Sequence, residues 1–271
     1  MSVLKRTVNA LSNGVLVLLV IVAVLPFAFM IVTSIQRADS VSLAFDPDRL
    51  QLDNFVRLFT EYGFGRALIT SAVVVTLACA VNLVVSSMAA FAFAKKPFPG
   101  SEALFWVYIA TMMVPVQVTI IPLFVIVRDL GLLNTHIALI LPIINAFGVF
   151  LIRQFMSNVP DELLEAARLD GAPDRRIFVA IVVPLIRPVL VALAVFTFIT
   201  AWNDFLWPLV AISDESMQTV TLAAARLQGR FVTEYGLVMA GAAISFLVPF
   251  LVYLVLQRQF VRGVASVGLK G

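Results

Sequence analysis

Long, nearly uncharged apolar runs recur along the whole sequence. A helix needs about 20 apolar residues to cross about 30 Å of hydrocarbon. Of the 271 residues, 61% are hydrophobic and 13% are charged, against about 25% charged in an ordinary soluble domain. The sequence therefore predicts an all-α, polytopic membrane protein with six transmembrane helices. The six segments are Val15–Ile35, Ala67–Ala94, Ala103–Val127, Ile137–Ile152, a segment that begins between Ile181 and Pro188 and ends near Trp207, and Tyr235–Gln257.

The lysines predict the orientation of these segments. Lysine and arginine in short loops resist translocation and favour the cytoplasmic side. With six spans both termini share one side, and Lys5, Lys95, Lys96 and Lys270 all fall on it. The first run is longer than the roughly 7 to 15 residues of a signal-peptide core, so we expect it to be retained. We therefore expect both termini in the cytoplasm, and the net charge of +3 reflects this loop bias rather than nucleic-acid binding.

Prolines interrupt several of the apolar runs. A proline removes a backbone hydrogen bond and kinks or ends a helix, which a transporter tolerates where neighbours or a water-filled cavity satisfy the freed carbonyls. Proline is also simply more frequent in spanning helices than in soluble ones, so a mechanistic hinge and an ordinary kink remain alternatives. The prolines concerned are Pro26, Pro115, Pro122, Pro142, Pro208 and Pro249.

The cytoplasmic loop between the fourth and fifth runs has the pattern of a short helix followed by a bend. Pro160 suits a first helical position, and Asp161 and Glu162 fill the first turn, where carboxylates favour the helix dipole. Gly171 suits the left-handed residue after the helix, and Pro173 can start another helix. We expect a helix of roughly 16 Å, a sharp bend, and a second helix that leads into the fifth span.

The same loop contains a spaced motif. Ala166 and Ala167 permit close backbone approach, and Glu165 offers a carboxylate to a basic partner side chain. The pattern resembles the "EAA" loop of ABC importer permeases, with Val183 in place of the usual leucine before the proline. An acidic amphipathic helix that lies on the membrane surface is the alternative. The motif reads Glu165-Ala166-Ala167, three residues, Gly171, nine residues, Ile181, two residues and Pro184.

Further stretches are similar to the carbohydrate branch of that family, specifically the maltose-type second permease subunit. The resemblance implies a type I ABC importer transmembrane fold. In that fold, residues 67–260 form a five-helix core with a coupling loop at 157–180. Residues 1–66 then hold the first helix and an outer segment, and residues 261–271 form a cytoplasmic tail. The stretches are Leu52–Phe55, Ala92–Ala94 with Phe98–Gly100, Ala201–Pro208, Gln257–Gly263 and Gly268–Gly271.

The resemblance also implies partners and docking residues. It implies a bacterial plasma-membrane complex with a second homologous permease subunit, two ATP-binding subunits and an external lipoprotein or periplasmic solute-binding protein. The tail is expected to reach toward the ATPase dimer, or to be an ordinary flexible terminus. The residues implied to dock on an ATPase subunit are Glu165, Ala166, Ala167, Gly171, Asp161, Leu169 and Pro184.

The chain has no G-x-x-x-x-G-K phosphate loop, so we expect ATP and Mg to bind partner subunits and this chain not to be an enzyme. Polar groups inside spans are costly unless they face a cavity or a partner, so they are candidates for the solute path. Hydrogen bonding between helices is the alternative explanation. The candidates are Asn82, Gln117, Asn145, Asn203 and Asp204.

Two rival classes and the solute remain open. A secondary transporter usually has paired repeats with broken helices at corresponding positions, and a membrane enzyme needs convergent titratable groups. Arg187 and Asp204 are the only such groups in the spans. His136 and Cys79 are single residues of their type, so no metal site or other cofactor is expected. A sugar, a glycerol phosphate or a non-sugar solute all remain possible cargoes.

Overall fold

The computed structural model describes residues 2–37, 50–228 and 234–268, and these residues are almost entirely helical. Beyond an isolated antiparallel bridge between Gln36 and Leu50, the described ranges contain no β-structure. The α-helices are α1 (Ser2–Ser34), α2 (Asp53–Thr60), α3 (Phe64–Lys95), α4 (Ser101–Ala110), α5 (Val116–Asp129), α6 (His136–Ile140), α7 (Ala146–Met156), α8 (Asp161–Leu169), α9 (Asp174–Ile177), α10 (Val183–Leu185), α11 (Arg187–Asn203), α12 (Leu206–Ala211), α13 (Val220–Arg226) and α14 (Tyr235–Gly268). Short 3₁₀ turns occupy Thr111–Met113, Leu141–Ile143 and Glu215–Met217, and a π-helical turn occupies Phe178–Val182.

Three of these helices are long and apolar enough to cross a membrane without a break. They contain the spans Leu11–Ser34, Phe64–Lys95 and Tyr235–Val255. Three more spans result if each of three bent helix pairs crosses as one unit, which makes up to six. The all-α polytopic fold is therefore confirmed, whereas the third, fourth and fifth predicted segments are not single helices.

The third predicted segment, Ala103–Val127, is broken in its middle. The axes on either side of the break differ by 103°. Val114 and Pro115 both adopt extended backbone, with ψ of 118° and 135°. Proline disfavours the α conformation in the residue before it and lacks an N–H donor. The sequence Val114-Pro115 therefore ends one helix and starts the next.

The fourth and fifth predicted segments contain similar breaks. The fourth bends by 45° at Ile144 and Asn145, where the Asn145 side chain caps the start of α7. The fifth bends by 78° at Ile186, and its helix ends at Asn203 rather than near Trp207. Trp207 lies in the separate short helix α12. Polar caps and prolines thus divide runs that composition alone reads as continuous.

The described residues form two compact units, of which the first contains residues 1–65 and 223–248. Asn54 is 3% exposed, and its amide donates to the carbonyls of Ser34 and Gln36 at 2.9 Å each. A Cβ at Gly236 would clash with the Gln36 carbonyl. Tight packing around one buried amide therefore organises this unit. Residues 38–49 of the predicted outer segment lie outside the described residues.

An ion pair joins α2 to the residue before α14 within the same unit. Arg57 donates to both carboxylate oxygens of Glu234, at 2.5 and 3.2 Å. These hydrogen bonds lower the pKa of the Glu234 carboxyl and raise the pKa of the Arg57 guanidinium. The paired charges therefore favour the ionised form of both groups.

The second unit contains residues 66–222 and 249–271, and its described residues include two apolar cores. One core gathers Ile152, Met156, Leu164 and Ile177, so it supports the loop that carries the EAA motif. The other core surrounds Trp207, whose indole N–H donates to the Ala138 carbonyl at 2.8 Å. Residues 223–248 group with the amino-terminal unit, and the predicted domain boundaries stay a prediction. Residues 269–271 of the predicted tail lie outside the described residues.

Candidate functional site

The EAA segment forms a short helix with well-defined ends, which we call the coupling helix (α8). Pro160 is the N-cap and has extended backbone. The sequence predicts Pro160 as the first helical residue, so the helix begins one residue later than predicted. The missing N–H of Pro160 costs nothing there because the first helical amides lack partners. The helix has nine residues, Asp161–Leu169, and is about 13 Å long rather than roughly 16 Å.

The bend after the coupling helix depends on Gly171, as the sequence predicts. Gly171 has φ of +78°, the left-handed conformation that L side chains rarely adopt. Its N–H donates to the Arg168 carbonyl at 3.0 Å, and the next N–H, of Ala172, donates to Ala167 at 2.9 Å. These two bonds are the Schellman pattern that closes a helix. Pro173 then caps the start of α9, as expected.

One side of the coupling helix packs against this chain, and the residues on the other side are exposed. Leu164 is 2% exposed and packs in the first core of its unit, and Ala167 is half-buried against the same core. Leu169 is 90% exposed. A single exposed leucine does not by itself mark an interface, so the docking role of this surface stays a prediction. The exposed residues among those predicted to dock are Asp161, Glu165, Ala166, Leu169 and Gly171.

Pro184, the last residue of the motif, is not part of the coupling helix and lies in α10. It is exposed, and only Val183 separates it from the π-helical turn Phe178–Val182. In a regular α-helix a proline ring clashes with the carbonyl four residues earlier, here that of Ala180. A wider turn relieves this clash. Pro184 therefore shapes the chain between the coupling helix and α11, and its contact with an ATPase stays a prediction.

A groove of about 260 Å³ lies between α3, α7 and α11 and contains two of the predicted path residues. Asn82 is 2% exposed, and its amide donates to the Thr197 hydroxyl at 2.9 Å while its oxygen accepts from Ser86 at 2.9 Å. Asn145 caps α7 at the same groove by accepting from the Phe147 N–H at 3.0 Å. The groove is lined by Asn82, Ile143, Asn145, Phe147, Leu193, Phe196, Thr197 and Thr200.

The groove combines amide and hydroxyl groups with aromatic rings. The Phe147 and Phe196 rings meet edge to face, with centroids 5.3 Å apart. Sequence reasoning missed these two residues and Thr197, because it searched for amides and carboxylates in the spans. Thr197 lies 115 positions from Asn82 and meets it only through the fold. A threonine and aromatics in an apolar run carry no local signal of this kind.

The other three path candidates lie elsewhere. Gln117 is exposed near the start of α5. Asn203 donates to the Ile199 carbonyl at 2.9 Å at the end of α11. The Asp204 carboxylate accepts from the Trp207 N–H at 3.4 Å, and its carbonyl accepts from Thr221. Asn203 and Asp204 thus have local roles at a helix end, and any contact with solute stays a prediction.

Within the described ranges, no group of three or more histidine, cysteine, aspartate or glutamate side chains could hold a metal ion. His136 is the first residue of α6, after the capping Thr135. Cys79 is half-buried and contacts the Ala194 carbonyl at 3.6 Å.

Comparison with known proteins identifies the family. Residues 82–266 match the model of the binding-protein-dependent transport system inner membrane component, which covers more than half of the chain. The chain belongs to this family. It is therefore a bacterial membrane protein with a permease role, and the EAA loop and the groove both lie within or at the edge of the matched residues.

Several curated members of the permease family are similar over most of their length. The chain is 35% identical to the arabinooligosaccharides transport system permease protein of Halalkalibacterium halodurans, over 92% of each chain. It is 33% identical to the lactose transport system permease protein of Rhizobium radiobacter, over 96% of each. It is 39% identical to the sn-glycerol-3-phosphate transport system permease protein of Shigella flexneri, over 75% of this chain and 73% of that one.

Solved structures agree on the fold. A chain of a bacterial ABC transporter that imports the acidic polysaccharide alginate aligns with a TM-score of 0.84 at 21% identity, over 94% of this chain and 97% of that one. A second structure, the alginate transporter in complex with its pentasaccharide-bound periplasmic protein, aligns with a TM-score of 0.69 at 15% identity, over 92% and 94%. These likenesses place this permease in the ABC importer transmembrane fold.

Proposed function

We propose that the chain is the permease subunit of an ATP-driven ABC importer for an oligosaccharide or a related polyhydroxylated solute. In this proposal the chain forms part of the translocation path with a second homologous permease subunit. Two partner subunits bind ATP and Mg, an external solute-binding protein delivers the cargo, and both termini face the cytoplasm. The names of the relatives, which include carriers of arabinooligosaccharides and lactose, support the cargo class.

The observation that carries this proposal is the coupling helix. It is anchored by Leu164, while Glu165 and Leu169 are exposed. The glutamate offers a carboxylate to a basic side chain, and the leucine offers apolar area to a cleft. Because the sequence contains no phosphate-binding loop, the energy for transport is supplied through a docking surface of this kind.

The groove supports a neutral polyhydroxylated solute more than a phosphorylated one. The eight described residues that line it carry no charged side chain, whereas phosphate recognition normally uses arginine or lysine. Sugars present hydroxyls to amides and apolar ring faces to aromatics, and both partners occur here. An oligosaccharide is thus favoured over a glycerol phosphate, although a glycerol-phosphate permease is among the similar proteins.

The experiment is reconstitution of the chain with its partner permease and ATP-binding subunits in proteoliposomes. We expect the solute-loaded binding protein to stimulate ATP hydrolysis. Replacement of Glu165 and Gly171 together by alanine is expected to abolish that stimulation. Stimulation that survives the double replacement would contradict the coupling role.

The groove is tested separately in the same assembly. Thr197→Val keeps the side-chain shape but removes the hydroxyl that accepts from Asn82. An unsatisfied buried amide costs about 1–3 kcal/mol, so we expect a several-fold weaker response to solute. Thr60→Val is the matched control, since Thr60 lies outside the groove and its hydroxyl donates to the Val56 carbonyl of its own helix. Equal effects of the two variants would remove the special role of the Asn82 pair.

A further inference from the structure

Two adjacent lysines at the end of α3 contact both sides of the coupling segment. The Lys95 ammonium donates to the Val159 carbonyl at 2.6 Å and to the Asp161 carboxylate at 2.7 Å. The Lys96 ammonium pairs with the Asp174 carboxylate at 2.6 Å. Asp161 begins the coupling helix and Asp174 begins α9. One dipeptide of the second span therefore holds the chain before and after the Gly171 bend.

The two ties differ in burial and therefore in strength. The Lys95 side chain is only 4% exposed and its carbonyl acceptor belongs to the buried Val159, while its second acceptor, Asp161, is 71% exposed. The Lys96 and Asp174 side chains are 37% and 56% exposed. Hydrogen bonds from a buried ammonium are strong and costly to break, whereas exposed ion pairs contribute little. Lys95 is therefore the main tie and Lys96 a weaker one.

The coupling helix has few other anchors. Leu164 is the buried residue of this helix, and Ala167 is half-buried beside it. A helix held by one buried leucine can rotate about that contact unless a second point restrains it. Lys95 supplies that second point at the N-terminal end of the helix, where it bonds Asp161.

The lysine tie also joins the coupling helix to α3, the helix that carries one wall of the groove. The helix α3 ends at Lys95 and carries Asn82 and Ser86, which form the hydrogen-bonded wall of the groove. Asn82 lies thirteen residues before Lys95, which is about 20 Å along a helix. Motion of the coupling helix can therefore reach this wall through α3 without passing through the chain that leads to α11.

We propose that Lys95 is a positioning residue that transmits displacement of the coupling helix to α3, and through α3 to the wall of the groove. Lys96 acts as a weaker second tie. This inference rests on the proposed function, because it requires an ATPase that moves the coupling helix. Without Lys95 the coupling helix still docks and ATP is still hydrolysed, but the movement is no longer passed to α3.

The experiment measures solute transported per ATP hydrolysed in the fully assembled transporter in proteoliposomes. For Lys95→Met we expect this ratio to fall about tenfold or more, since tenfold corresponds to about 1.4 kcal/mol and a hydrogen bond to a charged group has that strength or more. For Lys96→Met we expect a change of about twofold or less. Lys95→Arg, which keeps the charge and the donors, is expected to retain most of the ratio.

Controls separate positioning from stability. Arg128→Met removes another cation, whose ion pair with Asp129 at 2.9 Å lies outside the coupling segment, and should leave the ratio unchanged. If Lys95→Met does not assemble, Lys95→Gln is used: its amide can still donate to the Val159 carbonyl and support the fold, but it loses the charged bond to Asp161 in the coupling helix, so the ratio is expected to fall as well. A merely structural role would lower thermal stability and total activity but not the ratio.

The outcomes are distinct. A ratio within twofold of wild type for the assembled Lys95→Met or Lys95→Gln transporter would overturn the lysine proposal and leave the proposed function intact. Absence of solute-stimulated hydrolysis in the wild-type assembly would instead reject the proposed function, and the lysine proposal with it. A loss of ratio in the Arg128→Met control equal to that of Lys95→Met would also overturn the proposal.

Discussion

Replacement of Gly171 by alanine isolates the contribution of the bend after the coupling helix. With φ of +78°, Gly171 occupies a conformation that costs an alanine about 1–2 kcal/mol. An added Cβ meets nothing within 4 Å, so the cost comes from the backbone alone. A penalty of this size lowers the equilibrium constant for the closed cap about 5- to 30-fold. The hydrogen bond from Ala172 to Ala167, which depends on that cap, is weakened accordingly.

Gly131 provides a matched control within the same chain. It has φ of +67°, and an added Cβ there also meets nothing within 4 Å. Its N–H donates to Arg128 at 2.9 Å, and the N–H of Leu132 donates to Val127 at 3.0 Å. The two glycines therefore close their helices by the same pair of bonds, but Gly131 follows α5 rather than the coupling helix.

The assay compares thermal unfolding of the purified chain in detergent with solute-stimulated ATP hydrolysis of the assembled transporter. We expect Gly171→Ala and Gly131→Ala to lower the unfolding temperature by similar amounts. We expect only Gly171→Ala to lower stimulated hydrolysis, by about fivefold or more, in proportion to the lost cap. Equal losses of stimulation in both variants, or none in Gly171→Ala, would refute the reasoning.

Three further predictions concern packing and pH. Gly148→Ala places a Cβ against the Ser86 hydroxyl, which should lower the free energy of unfolding in detergent by about 1–3 kcal/mol. Adding Ser86→Gly to the same chain should recover part of that loss. No recovery would exclude this clash as the cause. Asn54→Leu removes two buried donors and should cost about 2 kcal/mol or more, an expectation contradicted by an unchanged unfolding temperature. Arg57 lowers the pKa of the Glu234 carboxyl in the folded state below its usual 4.5, so the pair stabilises the folded chain above pH 4.5, and this stabilisation is lost as the pH falls through the lowered pKa. Glu234→Gln should flatten that part of the plot of stability against pH. An unaltered plot would count against the pair.

The sequence predicts the coupling segment almost residue by residue, because each of its signals is local. A glycine that must be left-handed and carboxylates in a first turn act within one or two helical turns. Gly171 and Pro173 accordingly have their predicted roles. The error at Pro160, one position, is within the usual uncertainty of a helix start.

The breaks inside the spans were only partly predictable. Proline at 115 signals an interruption, but the 103° change of direction depends on how the two flanking helices pack. The break at Asn145 arises because its side chain satisfies the free amide of Phe147, and an asparagine in a span is equally compatible with bonding between helices. Apolar composition therefore predicts which runs are membrane spans, of which three are unbroken and up to three more are bent pairs, but not their shape.

The groove and the lysine ties depend on residues far apart in the sequence. Asn82 and Thr197 are 115 positions apart, and Lys95 and Asp161 are 66 apart. Nothing in their local sequence indicates these pairings, since each follows from the packing of three or more helices. The family resemblance likewise supplied the docking role of the loop but not its attachment to α3.

The central claim is that the coupling helix delivers the motion of an ATP-binding partner to this chain, and a photoreactive residue at Leu169 tests it directly. Leu169 is 90% exposed on the coupling helix, and Leu130, which is 64% exposed beside Gly131, is the matched control position. In the assembled transporter, illumination should join position 169, but not position 130, to an ATP-binding subunit. A crosslink from position 130 alone, or labelling of position 169 only from outside the cell, would contradict the account.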